Sequence, residues 1–242
     1  MMPTPNDFNL KPEGFNLKPE GYHANSQPPV MLVGITGGIG SGKSYVCRQL
    51  EAAGHPVFYC DDEAKHIIRT DEAVRRELCA LVGPGVYDAG GRLVKSVLAA
   101  WLCKGREYAA QVDAIVHPRV AAAFRRCAEA MGGASAKGSA AAGHAVSVQP
   151  NQLSADGLHT DIGRLAALPV GSVLFMECAL LFESGFDRLV HSSVLVHVST
   201  STQLRRLMER DHISREKAQE WIDLQMSEAE KLRRATYVLC NE

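Results

Sequence analysis

"GGIGSGKS", Gly37 to Ser44, matches G-x-x-x-x-G-K-[ST] through Gly37, Gly42, Lys43 and Ser44, and its flanks decide how it reads. The run before it, "MLVGI" (31–35), is apolar on both faces, as a strand covered on both sides must be. The segment after it, "SYVCRQLEAAG" (44–54), carries a helical pattern. Strand, glycine-rich turn and helix in that order build a phosphate cradle. The glycines let backbone N–H groups converge on phosphate oxygens without Cβ clashes. The helix N-terminus adds partial positive charge. The pattern predicts that Gly38, Ile39, Gly40, Ser41, Gly42, Lys43, Ser44 and Tyr45 seat a nucleoside triphosphate. Lys43 then reaches its β- and γ-phosphates, and the Ser44 hydroxyl holds Mg²⁺.

Outward from this loop, four more runs read as covered strands: "PVFYC" (56–60), "SVLFME" (172–177), "SVLVHV" (193–198) and "TYVLC" (236–240). Helical patterns fit 43–53, 62–69, 72–82, 95–104, 107–130, 201–210, 214–226 and 228–234. Strand–helix alternation predicts an α/β, three-layer fold on a five-stranded parallel sheet, within one domain spanning 31–242. The helical stretch 72–130 is too long for a simple crossover and is expected to form a subdomain over the sheet edge. Residues 1–30 are polar, hold "FNLKPEG" twice, and read as an extension without a packed core. The Gly/Ala/Ser-rich 132–157 reads as an insertion, with irregular chain to about residue 170.

A net charge of −1 gives no electrostatic argument for a nucleic-acid or membrane partner. Seven cysteines without a C-x-x-C pair suit reduced thiols in the cytoplasm. No apolar run is long enough to cross a membrane. The sequence carries no coiled-coil seam from which to read an oligomeric state.

Among phosphate-cradle proteins, a GTPase needs a base-reading N-K-x-D, which is absent. A motor or transport ATPase usually ends an apolar strand in Asp or Asp-Glu. The third strand here ends in Glu177 followed by "CALLFES", a poor match. Small-molecule kinases instead place an acceptor-binding acid after the second strand and an arginine-rich lid late in the chain. "FYCDDEAK" (58–65) supplies the acid: Asp61 is expected to serve as general base toward an acceptor hydroxyl and as helix N-cap, with Asp62 and Glu63 as first-turn acids. Arg206 and Arg210, one helical turn apart, are the lid candidates that would neutralise charge on the transferring phosphoryl group. His117-Pro118 sits between two helical runs, so a helix break is expected at Pro118.

"GITGGIGSGKS", the acid after strand two, "HPRV" (117–120), "LLFESGFD" (180–187), the "QLRRLMERD" helix (203–211), "QMS" (225–227) and "ATYVLCN" (235–241) occur in the order found in dephospho-CoA kinases. The chain resembles that family from residue 31 to 241, apart from the insertion. The resemblance implies ATP- and Mg²⁺-dependent phosphorylation of the ribose 3′-hydroxyl of dephospho-CoA. It implies an acceptor pocket built from Asp61, His117, Pro118, Leu181 and Glu183, a lid over about 203–226, and Asn241 near the adenine. Two positions depart from the pattern: Tyr59 replaces the first acid of an Asp-x-Asp pair, and Ala179 replaces a proline. Another nucleotide or small-molecule kinase, or a non-catalytic nucleotide-binding regulator, are the competing readings.

Overall fold

The computed structural model describes residues 30–138 and 159–242. The duplicated heptad and most of the 132–157 stretch lie outside the described residues. Strand β1 (Met31–Thr36) sits at the centre of the sheet, parallel to β4 (Val173–Glu177) on one side and β5 (Ser192–His197) on the other. Beyond β4 lies β2 (Val57–Tyr59); beyond β5 lies β6 (Tyr237–Cys240). A sixth strand, β3 (His159–Thr160), adds a two-residue edge next to β6. The predicted α/β parallel-sheet architecture is therefore present with six strands rather than five. A two-residue strand is too short to leave a periodic signal in sequence.

Side chains alternate across the sheet and fill two cores. Val33, Ile35, Val173, Phe175, Val194 and Val196 pack against Val46, Cys47 and Leu50 of α1 (Lys43–Ala52). Leu165 of α6 (Ile162–Ala166) closes the same layer. Helix α6 lies where irregular chain is expected from sequence. It is five residues long, is capped by Asp161 accepting from the Arg164 N–H, and is too short to show periodicity. On the opposite face Leu174 and Met176 meet a helical layer made of α2 (Cys60–Thr70), α3 (Glu72–Val82), α4 (Lys95–Leu102) and α5 (Arg106–Gly138). Phe124 of α5 is fully buried there, edge-on to Phe58 of β2 at 5.3 Å.

Helix α5 does not break at Pro118, contrary to the expectation from sequence. Proline removes one ladder hydrogen bond and crowds the preceding turn, but two other contributions outweigh that cost. Val112, Val116, Val120 and Phe124 bury one stripe of the helix on both sides of the proline. The Arg119 guanidinium donates to the Ile115 carbonyl at 2.6 Å, in the turn that the proline disturbs, while also pairing with Glu77 of α3.

The last third of the chain builds α7 (Thr200–Asp211), α8 (Arg215–Asp223) and α9 (Glu228–Arg234). Leu204, Leu207 and Ala218 join α7 to α8 in a small separate core that Ile39 also touches. Helix α9 is pinned to the end of β5 by His197, whose Nδ1 lies 2.6 Å from Glu228 Oε1.

Two measurements probe these contacts. Pro118→Ala restores a backbone donor, so it should raise unfolding stability by about 1–2 kcal/mol, the helix-interior penalty less the lost unfolded-state restriction. A lower denaturation midpoint would instead show that α5 depends on the proline. The Glu228 hydrogen bond raises the His197 pKa above its usual value. Its stabilisation is therefore full below about pH 6.5 and is lost as pH rises through the higher folded value. The Tm gap between wild type and Glu228→Gln should accordingly narrow from pH 6 to pH 9; a constant gap would rule out the charged pair.

Candidate active site

The loop between β1 and α1 takes its shape from two close approaches. Gly42, at φ +85°, is the left-handed N-cap of α1, and a Cβ there would collide with the Asn241 amide. A Cβ on Gly38 would strike the Gln203 amide, because Gln203 is buried against the loop as a packing residue. The loop is then tied from outside. The Ile39 N–H donates to Gln225 Oε1 at 2.8 Å. The Ser41 carbonyl accepts from Asn241 Nδ2 at 2.9 Å and from Arg206 Nη1 at 3.3 Å, and Arg206 Nη2 reaches the Asn241 carbonyl at 2.8 Å.

These contacts leave an open cleft of about 730 Å³ over the loop, walled by Gly38, Ile39, Gly40, Gly42, Lys43, Ser44 and Tyr45 among others. Arg48, Ala179, Arg206, Glu209, Arg210 and Gln225 complete its rim. Two residues of the expected nucleotide set are placed differently. Ser41 is buried behind the loop, and Asn241 clamps the loop's carbonyl side instead of lining the cleft.

Lys43 ion-pairs with Glu177 at the end of β4, both side chains being nearly buried. Sequence pattern alone sets Glu177 aside as a poor match to an ATPase strand end. Its importance comes from register: Glu177 stands opposite Ile35 of β1 on one side and opposite Tyr59 of β2 on the other. The carboxylate missing at position 59 is thus found on the neighbouring strand at the same level. Tyr59 turns instead to Glu51 of α1, donating to its Oε2 at 2.9 Å. Burial first and that hydrogen bond second push the phenol pKa up. Burial, then the Glu177 charge, pushes the Cys47 thiol up to about 12.

One residue past this register, Cys60 and Cys178 face each other inside the helical core. Contact between the two thiols raises the pKa of Cys60 and lowers that of Cys178, where burial opposes the shift and the Leu180 N–H supports it. Because Cys60 is drawn inward here, α2 begins directly from β2, and the N-cap is Tyr59 rather than the expected Asp61. Asp61 lies in the first turn, its side chain 74 % exposed and paired with Lys65. It lines neither large cleft. It stands at the end of β2, two strands and about 10 Å from the end of β1.

A second cleft of about 550 Å³ opens between α5 and the turn after β4. It brings together His117 and Pro118 with Glu183, and adds Asp113, Arg125 and Arg188, which no sequence pattern singles out. The His117 ring lies 3.4 Å from Asp113 Oδ1 and 5.2 Å from the Phe186 ring. Glu183 Oε1 accepts from the Met226 N–H at 3.2 Å. Leu181, expected in this pocket, is not there. It is fully buried against Gly34 in the core, where apolar packing claims it, and the exposed neighbour is Leu180. On α7, Arg210 forms a forked pair with Asp211 at 2.6 to 3.1 Å and still borders the first cleft.

This constellation has counterparts. The dephospho-CoA kinase family model matches residues 31–135 and 160–242. A dephospho-CoA kinase of Bacteroides fragilis is 36 % identical over 210 residues, covering 87 % of this chain and 84 % of that one. Its counterpart in Geobacillus kaustophilus is 30 % identical over 211 residues, covering 87 % and 88 %. Among solved structures, TT1252 from Thermus thermophilus aligns at TM-score 0.59 and 30 % identity, over 88 % of this chain and 89 % of that one. Dephospho-CoA kinase from Campylobacter jejuni shares the fold at TM-score 0.50 and 15 % identity, with the same coverage. With its cradle, its strand-end acid and nearly all of its described length accounted for by that match, the chain belongs to the dephospho-CoA kinase family.

Proposed function

We propose that this protein transfers the γ-phosphoryl group of ATP to the 3′-hydroxyl of dephospho-CoA, giving CoA and ADP, the last step of CoA biosynthesis, in the cytoplasm. Beyond family membership, one observation carries the reading: a single turn after β4 walls both clefts. Ala179 borders the cleft over the phosphate loop, and Glu183 to Gly185 border the cleft against α5. A phosphoryl donor in the first and a ribose in the second would meet across that turn.

In this reading the loop N–H groups and Lys43 hold the phosphates, with Lys43 leaving Glu177 for the β- and γ-oxygens as ATP enters. Arg210 turns from Asp211 to the transferring group from a lid made of α7 and α8. Arg206 holds the loop in shape and adds its charge at the rim. Asp61, outside both clefts at the end of β2, is assigned to accept the proton of the attacking hydroxyl once closure of the helical layer brings it to the acceptor. Arg125, Arg188 and His117 line the acceptor cleft and suit the diphosphate of dephospho-CoA. Helices between residues 72 and 130 wall that side. Closure of lid and wall excludes water, which would otherwise compete as acceptor.

Mg²⁺ fits the donors present. Among the described residues no three acidic, His or Cys side chains form a dedicated metal cage. Mg²⁺ in phosphoryl-transfer sites is usually held by phosphates, water and one or two protein oxygens. The Ser44 hydroxyl on the cleft wall would be such a ligand, with the Glu177 carboxylate beside Lys43 as the nearby hard oxygen donor. Bound there, the ion would neutralise charge on the phosphate oxygens.

The decisive assay is ADP release with dephospho-CoA as acceptor, with nucleoside monophosphates inert. Turnover with a nucleoside monophosphate in its place would keep the kinase and reject the acceptor. Asp61→Asn should lower kcat by about 10²- to 10⁴-fold, the usual share of a positioned base, while Asp62→Asn, which leaves the proposed base in place, stays within about twofold of wild type. Equal, small losses at both positions would remove Asp61 from the chemistry.

A further inference from the structure

Lys231 is the only lysine among the largest fully buried side chains of the described residues, at 2 % exposure. Its ammonium makes no hydrogen bond or ion pair with any described residue. Neither composition nor fold explains this. A buried cation without a partner is unfavourable unless something else satisfies it.

Its surroundings say what that something is. Burial lowers the Lys231 pKa, Glu183 and Glu228 counter that, and Lys43 adds to it. The ammonium is therefore within electrostatic reach of the phosphate-loop lysine. Neither acid forms an ion pair with it: Glu183 accepts the Met226 N–H and Glu228 meets His197 instead. Direction agrees. Long side chains on a helix point back toward its N-terminus. The chain entering α9 holds Gln225 on the Ile39 N–H, Met226 on Glu183 and Glu228 on His197 at the end of β5. Lys231 thus points toward the region between the phosphate loop and the turn that walls both clefts.

We propose that Lys231 is a second phosphate-contacting lysine, meeting an oxygen of the γ-phosphoryl group in the bound nucleotide and keeping it as the group passes to the acceptor. This rests on the nucleotide reading of the loop. The unpaired ammonium, at the end of a side chain that is 2 % exposed, then forms a charge-assisted bond with the arriving phosphoryl group. Lys43 approaches the phosphates from α1 and Lys231 from α9, on the side of Glu183.

The test compares Lys231→Met, which keeps length and removes charge, with Lys43→Met. Binding of AMP-PNP, ADP and dephospho-CoA is measured by calorimetry, alongside kcat and Tm. For Lys231→Met the expected result is AMP-PNP binding weakened about tenfold or more, the scale of a hydrogen bond to a charged group, with ADP and dephospho-CoA within about twofold and Tm unchanged or higher because a buried charge is gone. Unchanged AMP-PNP binding overturns the proposal. So does a loss confined to dephospho-CoA, which would assign Lys231 to the acceptor's diphosphate, or a uniform loss with lower Tm, which would make it structural. If Lys43→Met also leaves AMP-PNP binding untouched, the nucleotide reading itself falls; if Lys43→Met alone weakens it, only the Lys231 proposal does. In the unmutated protein, ¹³Cε-lysine titration probes the same contact without a substitution. AMP-PNP should raise the Lys231 pKa well above the value with ADP, and equal values overturn the proposal.

Discussion

Everything in the site is referred to the level at which β1, β4 and β2 end together. Parallel pairing places Ile35, Glu177 and Tyr59 side by side, and of these three only Glu177 carries charge. Glu177 meets Lys43 at the start of α1, so the lysine is held by a carboxylate on a central strand rather than left to solvent. A nearly buried ion pair contributes little net stability once desolvation is counted. What it supplies is position: a charged group fixed beside a cradle of backbone donors. A phosphate chain exchanges one set of oxygens for another there, with little rearrangement.

The cradle is held by equally few contacts. Its carbonyl side is bonded by Asn241 and Arg206, its N-terminal turn by Gln225, and its apolar residue Ile39 enters the α7–α8 core. Groups from three late segments thus fix a loop formed some 160 to 200 residues earlier. Movement of α7 and α8 must therefore change the loop as well as the cleft above it. Arg206, read from sequence as a partner of the phosphates, is in this arrangement bonded to the loop itself. Arg210, one turn further on and itself exposed, has among the described residues only the half-buried Asp211 to leave.

How much of this was legible in sequence follows from the range of the interactions. The cradle, the covered strands and most helices are local patterns and were readable, as was the α/β class. The edge strand His159–Thr160 and helix Ile162–Ala166 fall below the length at which periodicity exists. Leu181 and Leu180 are indistinguishable in a string of letters; only packing under Gly34 decides which is core. Pro118 breaks a helix by local rules, and long-range burial of α5 overrides them. Glu177 is the clearest case. Its neighbours Lys43 and Tyr59 are 134 and 118 positions away, and strand register, which no motif encodes, makes the three one group.

The turn from Cys178 to Gly185 then sets the distance over which chemistry is possible. Its start is fixed by the Cys178 N–H donating to the Ile35 carbonyl at 3.1 Å and by the Cys60 contact. Leu181 fills the space that a side chain on Gly34 would need, since a Cβ there would lie 2.8 Å from Leu181 Cδ2. Glu183 at the far end is tied to Met226. Glu183 on one cleft follows Ala179 on the other by four positions, so the two walls cannot lie more than about 14 Å apart even if the chain were straight, and a turn is shorter. In-line phosphoryl transfer needs donor and acceptor oxygens in near contact. A short, doubly anchored turn between two clefts meets that requirement through covalent geometry, which in the proposed reading leaves closure of α7 and α8 the narrower task of excluding water.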